Sequence, residues 1–225
     1  MSGKKLSKGL NKEELYEGLF QSLNDKFGDD QLELYKTDPV KFVREVISAE
    51  PEPEQIEILK GLVDHGHVAV RSGHGIGKST TMAWAALWFI CTHPHAKIPC
   101  TAPTSHQLYD IFFSELLKWY KRLEEPFRNQ FEHTTERFYH KQFRESWFIA
   151  PRTARVENPE ALQGFHSENL LFLIDEASGV PDGVFEVAMS ALTAEGNMVL
   201  MAGNPTRLSG IFYDSFHSDC VFRSK

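Results

Sequence analysis

Residues 68–84, VAVRSGHGIGKSTTMAW, constrain the fold more than any other stretch of the chain. A short apolar run passes through Gly73, Gly75 and Gly77, three glycines in five positions, and at once into Lys78, Ser79 and an apolar segment of helical length. A strand that ends in a glycine-rich turn and opens a helix makes an anion cradle. Successive backbone N–H groups point inward, and the helix N-terminus adds partial positive charge. A flexible turn before a buried helix would explain the glycines but not Gly-Lys-Ser at the helix start. A buried lysine there costs roughly several kcal/mol without an anion beside it.

The surrounding pattern supplies a sheet for that strand to join. Short β-type runs, HVAV (67–70), KIPCTA (97–102), SWFIA (146–150), LLFLID (170–175) and NMVLMAG (197–203), alternate with longer helical stretches. The helices are expected over 79–91, over 105–123 and in GVFEVAMSALT. Alternation with nearly continuous apolar strands marks an α/β sheet covered on both faces. Residues 1–50 read as a helical extension, with Leu15, Leu19, Phe20, Leu23 and Phe27 at helical spacing and Asp38-Pro39 as a helix start. AEPEPEQ (49–55) is an extended boundary, and EQIEILKGLVDHG after it a helix ending near Gly66. The organisation is therefore an N-terminal helical extension over 1–50 and an α/β nucleotide-binding domain over 51–225.

The loop follows the pattern G-x-x-x-x-G-K-[ST] with one departure. Ser72 stands where the first glycine belongs, and Gly73 follows, so the turn sits one residue later. Residues Ser72, Gly73, His74, Gly75, Ile76, Gly77, Lys78, Ser79 and Thr80 then cradle the phosphates of ATP. Lys78 supplies a mobile charge to the β- and γ-phosphates, and the Ser79 hydroxyl ligates Mg²⁺. NLLFLIDEASG (169–179) supplies the acids: Asp175 emerges at a strand's carboxyl end to hold Mg²⁺, and Glu176 aligns or deprotonates the attacking water. Asn204, at the end of MVLMAGNPTR, is either a sensor of the γ-phosphate or ordinary strand punctuation. Gln55 either reads an adenine edge with its amide or is a surface glutamine on a helix.

Charge adds one ambiguity. The chain carries a net −7, yet residues 97–155 hold ten Lys/Arg against seven Asp/Glu, while 156–225 hold three against ten. A local basic face can bind DNA on an acidic protein; two solvated surfaces of differing sign are the other reading. Three scattered cysteines, Cys91, Cys100 and Cys220, suit a reducing compartment and burial. No apolar run approaches membrane-spanning length, so a cytoplasmic protein without a membrane partner is expected.

Taken in order, PEPEQIEIL, VAVRSGHGIGKST, TAPTSHQLYDIFFSEL, ALQGFHSENLLFLIDEASGVPDGVFE and LMAGNPTRLSGIFYDSF resemble the ATPase domain of phage large terminase subunits, across roughly residues 50 to 216. The GFH…DEASGVPD and GNPTR…GIFYD strings are more telling than the phosphate loop, and the displaced glycine fits that family's deviant version. The resemblance implies an α/β P-loop NTPase of the additional-strand Glu (ASCE) type, with a central, mainly parallel sheet. It implies an adenine motif at Gln55, catalysis by Glu176 and Lys78, and coupling around Gly203, Asn204 and Pro205. It further implies ATP-driven packaging of double-stranded DNA into a procapsid, by a homo-oligomeric ring, usually a pentamer, with portal protein and a small terminase subunit as partners. Arg152 or Arg155 is the expected arginine acting on a neighbour's nucleotide. No nuclease activity is expected of these residues. The alternatives are a superfamily 2 helicase-like DNA remodeller, because DEAS resembles a DEAD/DEAH box, and a nucleotide-dependent docking module without turnover alone.

Overall fold

The computed structural model describes residues 21–73, 75, 77–154, 162, 164–217 and 223–224. Its centre is a sheet of β1 (His67–Arg71), β2 (Lys97–Thr101), β3 (Phe131–His133), β4 (Phe138–His140), β5 (Phe148–Pro151), β6 (Leu171–Ile174), β7 (Met198–Gly203) and β8 (Arg223–Ser224), in the order β3-β4-β5-β2-β6-β7-β1-β8. All pairings from β5 to β8 are parallel; β3 to β4 and β4 to β5 are antiparallel.

Strands β6 and β7 are apolar at every position, and β1 at Val68, Ala69 and Val70, because both faces are covered. Leu171, Leu173, Leu200, Ala202, Val68 and Val70 belong to one core. Their alternating neighbours Phe172, Ile174, Val199, Met201 and Ala69 belong to the other. The second face is covered by α6 (Asp182–Ala191) through Val184, Phe185 and Ala188.

The first face carries α1 (Asp29–Thr37), α2 (Pro39–Glu45), α3 (Pro53–His65), α4 (Lys78–Thr92) and α5 (Ser114–Tyr120). Helix α4 is buried at every residue from Thr81 to Cys91, so it must be enclosed by other helices as well as by the sheet. The N-terminal helices do part of that enclosing. Asp38 caps α2, its carboxylate accepting the Lys41 N–H at 2.9 Å, and Pro39 occupies the first turn as the sequence predicts. Tyr35, Phe42, Val43, Val46 and Ile47 are buried, and Trp88 Nε1 donates to the Tyr35 carbonyl at 2.8 Å. Residues 21–45 are thus largely helical, and buried side chains from Leu23 to Ile47 are part of the first core. Leu15, Leu19 and Phe20 lie outside the described residues.

Two features were not visible in the sequence. The 105–123 helix is split: His106–Phe113 is π-helical and only then continues as α5. The β3–β4 hairpin consists of three-residue strands, FEH and FYH, too short for alternation to register. Cys91 and Cys100 are buried, which pushes both thiols up, while Cys220 lies outside the described residues. Among the described residues no helix is long and apolar enough to cross a membrane.

Candidate nucleotide site

Strands β6, β7 and β1 are adjacent and parallel, so the segments leaving their carboxyl ends meet at one sheet edge. From β1 the chain turns through Gly75 (φ +96°) and Gly77 (φ +72°) into α4. The left-handed φ favours glycine at Gly77, and a Cβ there would displace the Gln55 amide, whose Nε2 would stand 2.5 Å away. Lys78 opens the helix, and its ammonium group donates to the carbonyls of Gly73 (2.8 Å) and Ser72 (3.1 Å), to Ser72 Oγ (3.4 Å) and to Asn204 Oδ1 (3.4 Å). One lysine therefore joins the loop after β1 to the residue that ends β7.

Gly203 closes the same junction from the sheet. Its carbonyl accepts the Ser72 N–H at 3.2 Å, and a Cβ on it would lie 2.8 Å from Ala177 N. The acidic turn passes directly beneath. Asp175, 5 % exposed, donates its N–H to Thr101 O and accepts the Glu176 N–H on Oδ1, both at 2.9 Å. Burial pushes its carboxyl up to about 6. The Glu176 charge adds to that rise, and the Glu176 amide and Lys78 oppose it. Glu176 has φ +47°, uncommon for a residue with a Cβ, and starts the 3₁₀ turn Ala177–Gly179.

These elements enclose a cavity of about 590 Å³. Gly75, Gly77, Lys78, Ser79 and Thr80 line it on the loop side, and Asp175 and Glu176 on the sheet side. Loop amides, the helix N-terminus and Lys78 suit an anion; a hydroxyl and a buried carboxylate suit a hard cation that keeps most of its shell from water and phosphate. No group of three or more His, Cys, Asp or Glu among the described residues forms a metal cage of its own. Ser79 and Asp175 fit Mg²⁺ bound together with a nucleotide better than a free-standing metal centre.

Not every expected residue faces this cavity. Gln55 lies behind it, 6 % exposed; its Oε1 accepts the Glu52 N–H at 2.9 Å and its Nε2 reaches the Gly77 carbonyl at 3.5 Å. Arg152 is exposed and absent from the lining; its guanidinium donates to the Pro151 carbonyl at 2.9 Å. His74, Ile76 and Arg155 lie outside the described residues.

A further wall was missed in the sequence. Gln107, Ile111, Glu115 and Lys118, from the π-helix and α5, complete the lining. Glu115 accepts from Thr80 Oγ1 at 2.7 Å, Trp119 Nε1 at 2.6 Å and Lys118 Nζ at 3.1 Å. Burial raises its carboxyl, but those hydrogen bonds and the Lys118 charge outweigh burial and hold it below the ordinary value. The available signal was spacing. Leu108, Phe112 and Leu116 form the buried stripe, and Gln107, Ile111 and Glu115 run beside it one residue earlier.

Residues 69–203, more than half of the chain, match the family model described as RNA cytidine acetyltransferase NAT10/TcmA, helicase domain. The matched segment runs from β1 to β7, so this core belongs with helicase-type P-loop domains. The fold is similar to the large terminase ATPase domain of Thermus phage P74-26, with a TM-score of 0.66 at 19% identity over 83% of this chain and 84% of that one. It is also similar to a large terminase from a thermophilic bacteriophage in complex with ADP, with a TM-score of 0.59 at 13% identity over 77% of this chain and 44% of that one. In sequence, a probable terminase large subunit of Enterobacteria phage P7 is 35% identical over 188 residues, 82% of this chain. The chain belongs to the phage terminase large subunits. It spans 38% of the length of that phage P7 terminase subunit. An additional parallel strand, β7, lies between the loop-bearing β1 and the acid-bearing β6, in agreement with the expected mainly parallel P-loop sheet.

Proposed function

We propose that this chain is the ATP-hydrolysing domain of a phage motor that packages double-stranded DNA into a procapsid. The observation that carries the reading is the convergence of Lys78, Asp175, Glu176 and Asn204 on one sheet edge. ATP is the nucleotide; its phosphates lie along the amides of Gly75, Gly77, Lys78, Ser79 and Thr80, against the Lys78 ammonium group. Ser79 and Asp175 hold Mg²⁺, which when bound offsets phosphate charge. The Glu176 carboxylate accepts a proton from water as its oxygen bonds the γ-phosphorus and the bond to the β-phosphate oxygen breaks. Asn204, bonded to Lys78, shares the state of the phosphate site with β7, and Gly203 transmits it through its backbone contact with Ala177.

The wider motor follows from the terminase family: a homo-oligomeric ring, a pentamer, on a portal protein, with a small terminase subunit selecting DNA, in the host cytoplasm. Arg152, exposed beyond β5, and Arg155 are the arginines offered to a neighbour's nucleotide. The helicase-domain match over 69–203 supports a DNA remodeller as the second reading. Strand separation of a forked duplex would favour it; translocation without unwinding favours packaging.

The test is turnover and binding of Mg-ATP. Glu176→Gln is expected to lower kcat by at least about 10²-fold with ATP affinity kept, the range for a lost general base. Lys78→Ala is expected to weaken binding by about tenfold or more. Substantial turnover by Glu176→Gln, or unchanged affinity in Lys78→Ala, overturns the assignment.

A further inference from the structure

We propose that Lys118 is the second cation of the nucleotide cavity, bearing on the terminal phosphate from the α5 wall, and that Glu115 is the positioning residue that aims it. The proposal rests on the ATP-hydrolysing reading and gives a role to the wall which that reading leaves without one.

Charge requires such a residue. Among the described residues, the cavity is lined by three carboxylates, Asp175, Glu176 and Glu115, and by two cations, Lys78 and Lys118. With both lysines the lining carries a net −1 beside a polyanion; without Lys118 it would carry −2, and Glu115 would repel the ligand that the loop is built to hold. Lys118 Nζ lies 3.1 and 3.2 Å from the two Glu115 oxygens and so covers that charge. Arg152, the other cation that the sequence offers among the described residues, is turned onto its own backbone.

Lys118 and Glu115 are more than an exposed i,i+3 ion pair. Glu115 Oε1 also accepts from Thr80 Oγ1 on α4 and from the Trp119 indole. Thr80 adjoins Ser79, so the carboxylate is fixed to the phosphate loop and not to α5 alone. Trp119 is held edge-on against Trp84 of α4, with ring centroids 5.0 Å apart, and the Lys118 ammonium lies 5.0 Å from the Trp119 ring. The carboxylate side chain is 20% exposed and the lysine 60%, a fixed base under a mobile charge. An ammonium group placed in this way can leave one carboxylate oxygen for a phosphate oxygen without moving the helix.

The decisive measurement is the affinity of the 225-residue chain for Mg-ATP against Mg-ADP. A cation on the terminal phosphate separates the two nucleotides; a structural lysine does not. Lys118→Ala is expected to weaken ATP by about tenfold and ADP by less than about threefold, and Lys118→Arg to restore most of the loss. Glu115→Gln can still accept from Thr80 and Trp119 but loses the ion pair. It should lose the ATP-over-ADP preference while melting as the wild type does. If the wild type binds no Mg-ATP, or Lys78→Ala binds as well as wild type, the nucleotide reading itself fails. If those controls behave and Lys118→Ala affects both nucleotides alike or neither, this inference alone is overturned. A Glu115→Gln protein that keeps the preference removes the positioning role.

Discussion

Gln55 engages both ends of its amide inside the protein, with the Glu52 N–H on one side and the Gly77 carbonyl on the other. Such a side chain spends one donor and one acceptor of its amide on holding the phosphate loop against the start of α3. Gln55→Ala should therefore weaken ATP and GTP alike, by about three- to tenfold, since it removes support from the loop and not a contact to the ring. Parallel titrations with the two nucleotides decide it. A loss confined to ATP would make Gln55 the adenine reader that the family resemblance implies. Spacing put this glutamine near the loop, but a residue's position in a helix does not say which partner its amide takes. Lys78 was legible for the opposite reason: an ammonium group at the start of a buried helix has few physical uses.

At the scale of elements, the strand–loop–helix alternation was readable because β6 and β7 are apolar throughout and a flexible turn does not explain Gly-Lys-Ser at a helix start. The π-helix and the β3–β4 hairpin were not. An eight-residue π-helical run keeps nearly the apolar spacing of an α-helix, and three-residue strands carry too few alternations. Glycine at a strand end is equally mute in sequence, yet Gly203 is where β7 passes the acidic turn. A methyl group there would come within 2.8 Å of Ala177 N and 3.3 Å of Ser178 N. Both neighbours are backbone and cannot step aside. Gly203→Ala should cost about 1–3 kcal/mol in stability, as overpacking does, and lower kcat by shifting the turn that carries Glu176. Gly73 is the internal control, because a Cβ there meets nothing within 4 Å and its φ is not left-handed. Urea unfolding that leaves Gly203→Ala as stable as Gly73→Ala would refute the close packing of strand and turn.

For the whole molecule, the first core joins residues 21–50, α4, α5 and the hairpin, and aromatic residues mark its seams. Tyr35, Phe42, Phe27 and Phe127 meet with centroids 5.4 to 6.4 Å apart, and Trp147 Nε1 donates to the Ile90 carbonyl at 2.8 Å. Two buried histidines sit in these seams. His93 stacks on Phe89 at 4.0 Å, with Lys36 of α1 opposing its charged form, and His140 stacks on Trp147 at 4.5 Å, with His95 and Lys141 opposing its own. Burial above all lowers both to about 4, from 6.5 for an unburied imidazole. Below 6.5 the unfolded chain binds protons that the folded chain refuses, so stability falls as pH drops from 6.5 towards 4 and levels off beneath it. At pH 5 the loss should be about 1–2 kcal/mol for each histidine. Replacing either with asparagine should remove that share from the difference between urea midpoints at pH 7.5 and pH 5. Equal acid sensitivity in both variants and the wild type would mean that these rings are not where acid loosens the N-terminal helices and the hairpin from the central helix α4.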